Sequence, residues 1–428
     1  MREEFESVYE SARAWCRERG YAGQDPFDAL NSLLFQATPL RRSRFARLAW
    51  TQIFKRSPLN LRTLALVADE RNAKGTALFA LAALSRFRAT RSAEYELEAR
   101  TLLDELLEAR VGAWEGAAWG YNFDWQGRAF FAPRSTPTVV PTAFAVRALV
   151  EATVTLNTSE RENTLSGDVW KYLTAATGAC RFILRGLNRS AETEEEVCFS
   201  YTPLDRTRVF NASLLAGEAL ASVGALAGRD EWIEDGLRAA RYVIRRQRAD
   251  GSWPYGADAY QSWADNFHTA FVLTSLARIL EAFEQRQNTP VVGGVANGVG
   301  GTGQATRRGD AVADEIRQSI TRGYAFWRAS FFLADGWPKY YHDRAHPADA
   351  HSAGAAVVAL VELRDRQDGA LELAARVARW AVRELFDGRG FFYYQKRRFH
   401  TVRTPYMRWS QAWMMYALAR LLETMSAE

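Results

Sequence analysis

The sequence predicts an all-α fold: a toroid of helical hairpins, of the (α/α)6 type, with aromatic loops at one mouth. Three observations lead there. Amphipathic helical periodicity runs through most of the 428 residues, and almost nothing alternates with the period of a strand. After residue 95, a unit of two helices joined by an aromatic loop repeats along the chain. The second helix of each unit is rich in Ala and small residues, while the first carries more Arg and Glu. An inner, tightly packed ring and an outer, wet ring would look like this.

The first helices of the units are expected over 97–110, 167–185, 229–247, 311–330 and 369–386. The second ones are expected over 138–155, 209–226, 265–285, 349–365 and 405–424. Between them lie WGYNFDWQGR, CFSYTPLDR, DGSWPYGAD, DGWPKYYHDR and DGRGFFYYQK, most of which open on a Gly or Asp-Gly turn and all of which carry aromatics. The second helices align on ALVEA, ALASV, SLARI, ALVEL and ALARL. Helical patterns near 3–19, 27–36, 41–54, 60–69 and 74–92 supply one or two further units, for about six in all. Residues 286–310, rich in Gly and poor in large side chains, read as a flexible insertion within a single domain spanning 1–428.

Composition narrows the function. Hydrophobic residues make up 48% of the chain, and its 14 Trp, 16 Tyr and 24 Phe are enough to line a cleft for sugar rings as well as a core. The formal charge of +5, read as scattered Arg, favours an anionic partner. No nucleic-acid-binding motif occurs, so nucleic acid is not an expected partner. Cys16, Cys180 and Cys198 are odd in number and far apart, which fits neither a disulfide framework nor a metal site. The charged N-terminal helix lacks the apolar stretch of a signal peptide, and no apolar run reads as a membrane span. A cytoplasmic protein is expected.

The candidate chemistry sits at the starts of the second helices. Aligned on their last turns, Asp265 and Asp349 fall at one position, and His268 and His351 within one residue of each other. Asn211, Arg408 and Trp409 take neighbouring positions in their own units. All five histidines lie in or just after the aromatic loops of the last three hairpins. Imidazole is suited to proton transfer near neutral pH. In a closed ring these groups converge on one mouth, with Tyr121, Trp253, Tyr255, Tyr340, Tyr341 and His342 from the loops. Plainer readings stand beside this one. Asp265 and Asp349 suit helix caps, and a buried histidine bonded to a neighbour is common.

Two reactions suit the set. Asp124 with Asp265 or Asp349 could act as the carboxylate pair of a glycoside hydrolase. Alternatively, Asn266 and Arg408 could neutralise a uronate carboxylate while His268, His351 or Tyr341 moves the C5 proton, giving an epimerase or lyase. The second is preferred. Asn211, Trp253, Tyr255, Tyr340, Tyr121, Trp409 and His342 would then bind substrate. No cofactor and no metal are expected, since no metal-binding or phosphate-loop motif is complete. A non-catalytic glycan-binding or scaffold protein is the reading from a different class.

The segments WGYNFDW, DGSWPY…SWADNFHT, DGWPKYYHDRAHPADAHS and PYMRWSQAWMMYALARL resemble a family of bacterial and archaeal proteins encoded near polysaccharide-assembly genes, some of them named as dehydratases. The resemblance covers most of the chain from about residue 100, outside 286–310. It implies an α/α toroid and a role with glycans, with an acidic oligo- or polysaccharide or its lipid-linked precursor as partner. RWSQAWMMYALA is similar to the RGQAW-type segment of the α/α-barrel unsaturated-glucuronyl hydrolases, with Trp409-Ser410 in place of Arg-Gly. The Asn/His/Arg/Tyr set is similar to those of alginate lyases and uronyl epimerases. QRADGSW resembles the QW repeat of triterpene cyclases, without their acidic motif, and reads as a packing device.

Overall fold

Helices alternate along the chain between an outer and an inner ring. A computed structural model describes residues 1–112, 116–127, 130–157, 167, 169–288 and 302–427. The outer helices are α1 (Arg2–Glu18), α5 (Ala93–Glu108), α7 (Trp170–Gly186), α9 (Asp230–Ile244), α11 (Thr302–Phe331) and α13 (Ala370–Leu385). The inner ones are α4 (Ala73–Thr90), α6 (Val139–Thr155), α8 (Phe210–Ala227), α10 (Asn266–Asn288), α12 (Ala350–Glu362) and α14 (Ala412–Ala427), the last preceded by a π turn at Met407–Gln411. Each inner helix packs on the next, and α14 returns to α4, so the inner ring is closed. In the hairpin that completes the ring, α1 leans on α14. The structure is therefore the all-α toroid that the sequence predicts, with six hairpins among the described residues.

Inner-ring composition explains the close packing. In α8 the residues are buried almost all round, where an amphipathic surface helix would bury one stripe. A Cβ added at Gly354 of α12 would lie 2.9 Å from the backbone of Trp413 in α14, so this contact needs glycine. By length and composition α8 passes as a membrane-crossing helix, against the expectation of no such run. Its place in the inner ring accounts for its apolarity, since 78% of that window is buried.

Below the mouth, charged side chains link all six inner helices. Arg147 of α6 donates to both carboxylate oxygens of Glu218 of α8 at 2.8 and 2.7 Å. Arg278 of α10 meets Glu362 of α12 at 3.0 Å and Glu151 of α6 at 3.3 Å. Arg88 of α4 joins Glu151 and Glu423, and Arg420 joins Glu362 and Glu423. These opposite charges hold Glu151 and Glu362 below the usual carboxylate range.

The mouth lies at the N-terminal ends of the inner helices. The loops entering it are small hairpins with strands of two to four residues, at Trp125–Gln126 with Phe131–Ala132 and at Arg189–Glu192 with Val197–Phe199, among others. Three sequence expectations need correction. Residues 60–69 form turns, not a helix. Residues 27–42 give only short turns of helix, among them α2 (Leu33–Gln36), before α3 (Arg44–Arg56). The expected insertion at 286–310 is narrower, because α10 continues to Asn288 and α11 begins at Thr302. Residues 289–301 lie outside the described residues.

Candidate active site

The start of α10 carries the main polar contact of the mouth. Asp265 caps the helix by accepting the backbone N–H of His268 at 3.0 Å. Its other carboxylate oxygen lies 2.7 Å from His268 Nδ1 and accepts Trp263 Nε1–H at 3.2 Å. Residues three apart share a helix face, so the cap and the ring meet without strain. The carboxylate holds the proton on Nδ1 and leaves Nε2 as the free ring nitrogen. Asp265 is buried, while the His268 side chain keeps 22% of its surface.

A small, open pocket lies beside this pair, lined by Asn211, Trp253, Tyr255, Asp265, His268 and Thr269 among others. Asn211 Oδ1 is buried there without a hydrogen-bond partner. The Tyr255 ring stacks on Trp263 with centroids 4.8 Å apart and lies 4.6 Å from the His268 ring. Burial pushes the phenols of Tyr255, Tyr121 and Tyr201 up, so they remain hydrogen-bond donors. Tyr121 and Tyr201 place their hydroxyls 3.4 Å apart. Tyr340 packs on Phe267, and Tyr341 pairs its backbone with Asp265. Five sequence-predicted residues, Asp265, His268, Asn211, Trp253 and Tyr255, thus line one pocket, with Tyr340 and Tyr341 adjoining it.

The other candidates are placed differently. Asp349 is fully buried. It caps α12 through the Ser352 N–H at 2.8 Å and accepts Trp409 Nε1–H at 3.2 Å, and burial raises its pKa. Both of its oxygens are therefore occupied, and buried Trp409 serves as its donor rather than as a sugar platform. His351 is enclosed by Phe267, Phe271, Trp409 and Trp413, and neither ring nitrogen has a partner. Burial, with Lys74 and Arg408 nearby, holds it well below the usual histidine pKa, hence neutral. It does not line the pocket.

Asn266 is fully buried; its Oδ1 accepts Trp327 Nε1–H at 2.9 Å and its Nδ2 donates to the Lys339 carbonyl at 2.9 Å. Both ends of the amide tie helices to loops, which corrects its substrate-binding assignment. Arg408 donates two hydrogen bonds to Asp25, at 2.6 and 2.7 Å, and both side chains are buried. Its charge is neutralised within the protein, which corrects its assignment to a substrate carboxylate. Trp253 is 2% exposed and packs against Gly323 of α11, so it is mainly a core residue. Asp124 accepts the backbone N–H of Arg134 at 2.8 Å and closes its own loop. His342 is exposed and packs on Phe326 and Phe331 of α11.

Three groups at the mouth escaped the sequence reading. Asp25 pairs with Arg408 across 383 residues. Lys55 of α3 lies over the Phe27 ring at 4.3 Å and feels the charges of Asp349, Asp25 and Asp265. Burial nonetheless lowers its pKa. Lys74, near the start of α4, is buried with its ammonium against the rings of Phe144, Phe271 and Trp413, at 4.4, 5.0 and 5.1 Å. Burial lowers its pKa well below the usual lysine value. A signal for Lys74 was present, since it is the lone charge in AKGTALFALAALS. A second small pocket adjoins Arg408 and is lined by Asp25, Glu70, Asn72 and Asn122 among others.

No family model matches the sequence, and no curated protein matches it. Solved structures do. The chain is similar to cellobiose 2-epimerase from Bacillus thermoamylovorans B4167, at 14% identity and a TM-score of 0.56, over 83% of this chain and 88% of that one. It is similar to a D-mannose isomerase at 11% identity and a TM-score of 0.55, over 83% and 88%. It is also similar to an unsaturated glucuronyl hydrolase specific for heparin, at 13% identity and a TM-score of 0.52, over 82% and 86%. The shared feature is the α/α toroid. The unsaturated glucuronyl hydrolase, of the kind that RWSQAWMMYALA resembles, thus shares the toroid over 82% of this chain.

Proposed function

We propose that the protein is a carbohydrate-active enzyme that moves a proton at a sugar carbon, as an epimerase, isomerase or lyase does, with His268 as the base. The observation that carries this reading is the 2.7 Å contact between Asp265 and His268 Nδ1, beside a pocket that also holds Asn211 and Tyr255. A carboxylate that orients one ring nitrogen and stabilises the protonated ring equips the other nitrogen for proton abstraction. The protonated tyrosines supply donors for the developing oxyanion. Among the structural neighbours, an epimerase and an isomerase act on sugars, which supports the class.

Uronate as the substrate class now rests on the resemblance to polysaccharide-locus proteins, because Arg408 and Asn266 are committed elsewhere. Hydrolysis by a carboxylate pair is less favoured, since Asp265, Asp349 and Asp124 each accept N–H groups within the protein. The deciding experiment incubates the protein with a panel of neutral and uronate sugars in heavy water and reads masses. Deuterium gained without cleavage, or cleavage to products that lack the elements of water, supports the proposal when it is lost in His268→Gln. Products that gain the elements of water would make the protein a hydrolase. Binding with neither outcome would make it a glycan-binding protein.

A further inference from the structure

The net positive charge of the chain has one source. Residues 29–68 hold seven Lys or Arg and no Asp or Glu, leaving 48 basic against 50 acidic residues elsewhere. The reading of the charge as scattered Arg is thereby corrected. The same segment is where apolar side chains face solvent. Of the 17 large hydrophobic residues exposed among the described residues, eight lie between Leu33 and Leu66. Phe45 is 82% exposed, Leu59 71% and Leu64 77%.

The segment is not simply loose chain. Its inward side has a small core of Ala29, Phe54, Ala65 and Val67, with Trp50 packed against it. Helix α3 has two faces. Trp50, Thr51 and Phe54 point inward, while Phe45, Ala49 and Ile53, four residues apart, point outward. Arg397 ties a second loop to the end of this helix by donating to the carbonyls of Arg56 and Lys55. The tip of that loop is Phe399, 87% exposed. Arg41, Arg42 and Arg56 surround these apolar tips and have no carboxylate partner among the described residues. Lys55 of the same helix reaches Phe27, which packs on Trp409 at 5.3 Å, so the segment sits on the mouth with this face outward.

From this we infer that the outer face of residues 33–66, with Phe399, docks on an anionic lipid bilayer. Leu, Phe and Ile tips among arginines, with no carboxylate, match the acyl–headgroup boundary, where apolar side chains insert and guanidinium groups meet phosphates. A concave apolar groove for a peptide is not what these separate tips make. Docking in this pose turns the mouth toward the membrane surface, where a lipid-linked glycan would be presented. The docking itself does not depend on the proton-transfer reading, and its assay needs no activity.

The test is flotation of the whole chain with vesicles of phosphatidylcholine, alone or mixed with phosphatidylglycerol. The expected result is flotation with the anionic vesicles only, reversed by salt. Phe45→Asp combined with Ile53→Asp abolishes flotation with the unfolding temperature unchanged, because both side chains are exposed. Arg41→Gln weakens vesicle affinity about fivefold. Absence of flotation at low salt, or flotation that survives the Phe45/Ile53 pair, would overturn the inference. A concentration-dependent dimer dissolved by the same pair, without flotation, would assign the face to a second copy and overturn it too.

Discussion

The starts of α10 and α12 are built on one pattern and end up doing different things. Each opens on a buried Asp that caps the helix, accepts a Trp indole N–H and is followed by a histidine. In α10 the histidine comes three residues after the cap, and the two side chains meet at 2.7 Å. In α12 it comes two residues after, so the helix turns it away from Asp349. His268 stays at the pocket with a carboxylate behind it, whereas His351 is closed among aromatic rings with both nitrogens unpartnered. A single residue of offset separates a supported base from a neutral, buried imidazole.

Substitutions can break this contrast, and the largest effect is expected at His268. His268→Ala should lower solvent-proton exchange into substrate by about 10²–10⁴-fold, the range for a general base, with the fold intact. Stopped-exchange mass spectrometry and thermal unfolding read the two quantities, and unaltered exchange would remove His268 from the chemistry. A control far from the mouth comes next. Glu218→Ala leaves buried Arg147 without its partner and should cost about 3–5 kcal/mol of stability in urea denaturation, while activity per folded molecule holds.

The pH dependence of stability sharpens the other side of the contrast. His351 is held below 6.5 in the folded protein, so the unfolded chain takes up its proton first. The stability this group contributes is present above pH 6.5 and is lost as pH falls below it. His351→Leu should flatten the loss, as urea midpoints measured from neutral to mildly acidic pH would show. An unchanged pH slope would mean that the ring finds a partner in solution. The smallest effect is expected at Asn211. Its Oδ1 lacks a partner in the protein, so Asn211→Ala should weaken substrate binding by roughly tenfold, the worth of one hydrogen bond. A change in kcat with KM constant would instead place it in the transition state.

The hairpin order was legible because each inner helix repeats its small residues and each loop its aromatics, with an Asp-Gly turn in the last three. Asp265 and His268 were each legible as candidates at the start of one helix, with Asp265 suited to its cap, but their contact with each other was not read. Asp25 with Arg408 was not, since nothing in either segment announces a partner 383 residues away. Nor was the role of Asn266, whose two hydrogen bonds go to Trp327 and Lys339 in other elements. Trp253 read as a sugar platform because it stands in an aromatic loop, but the bare surface of Gly323 draws it into the wall. Residues 60–69 looked helical by apolar spacing and form turns instead, over the small core beside the mouth. Pairings between distant elements decide which polar groups remain available, and periodicity does not record them.

The seam between α1 and α14 has a consequence for how the ring comes into being. The other five outer helices, α5 to α13, each pack chiefly on the inner helix that comes just before them in the chain, so those units can form as they emerge during synthesis. For α1 the wait is longer, because the inner helix it leans on lies at residues 412–427. Until then its apolar stripe of Phe5, Val8, Tyr9 and Ala12 has no such wall, and α4 lacks one neighbour. Closing a loop of this span is the slowest kind of contact to make. The nascent chain thus passes through an open horseshoe with two sticky ends, the stage at which a chaperone would matter most.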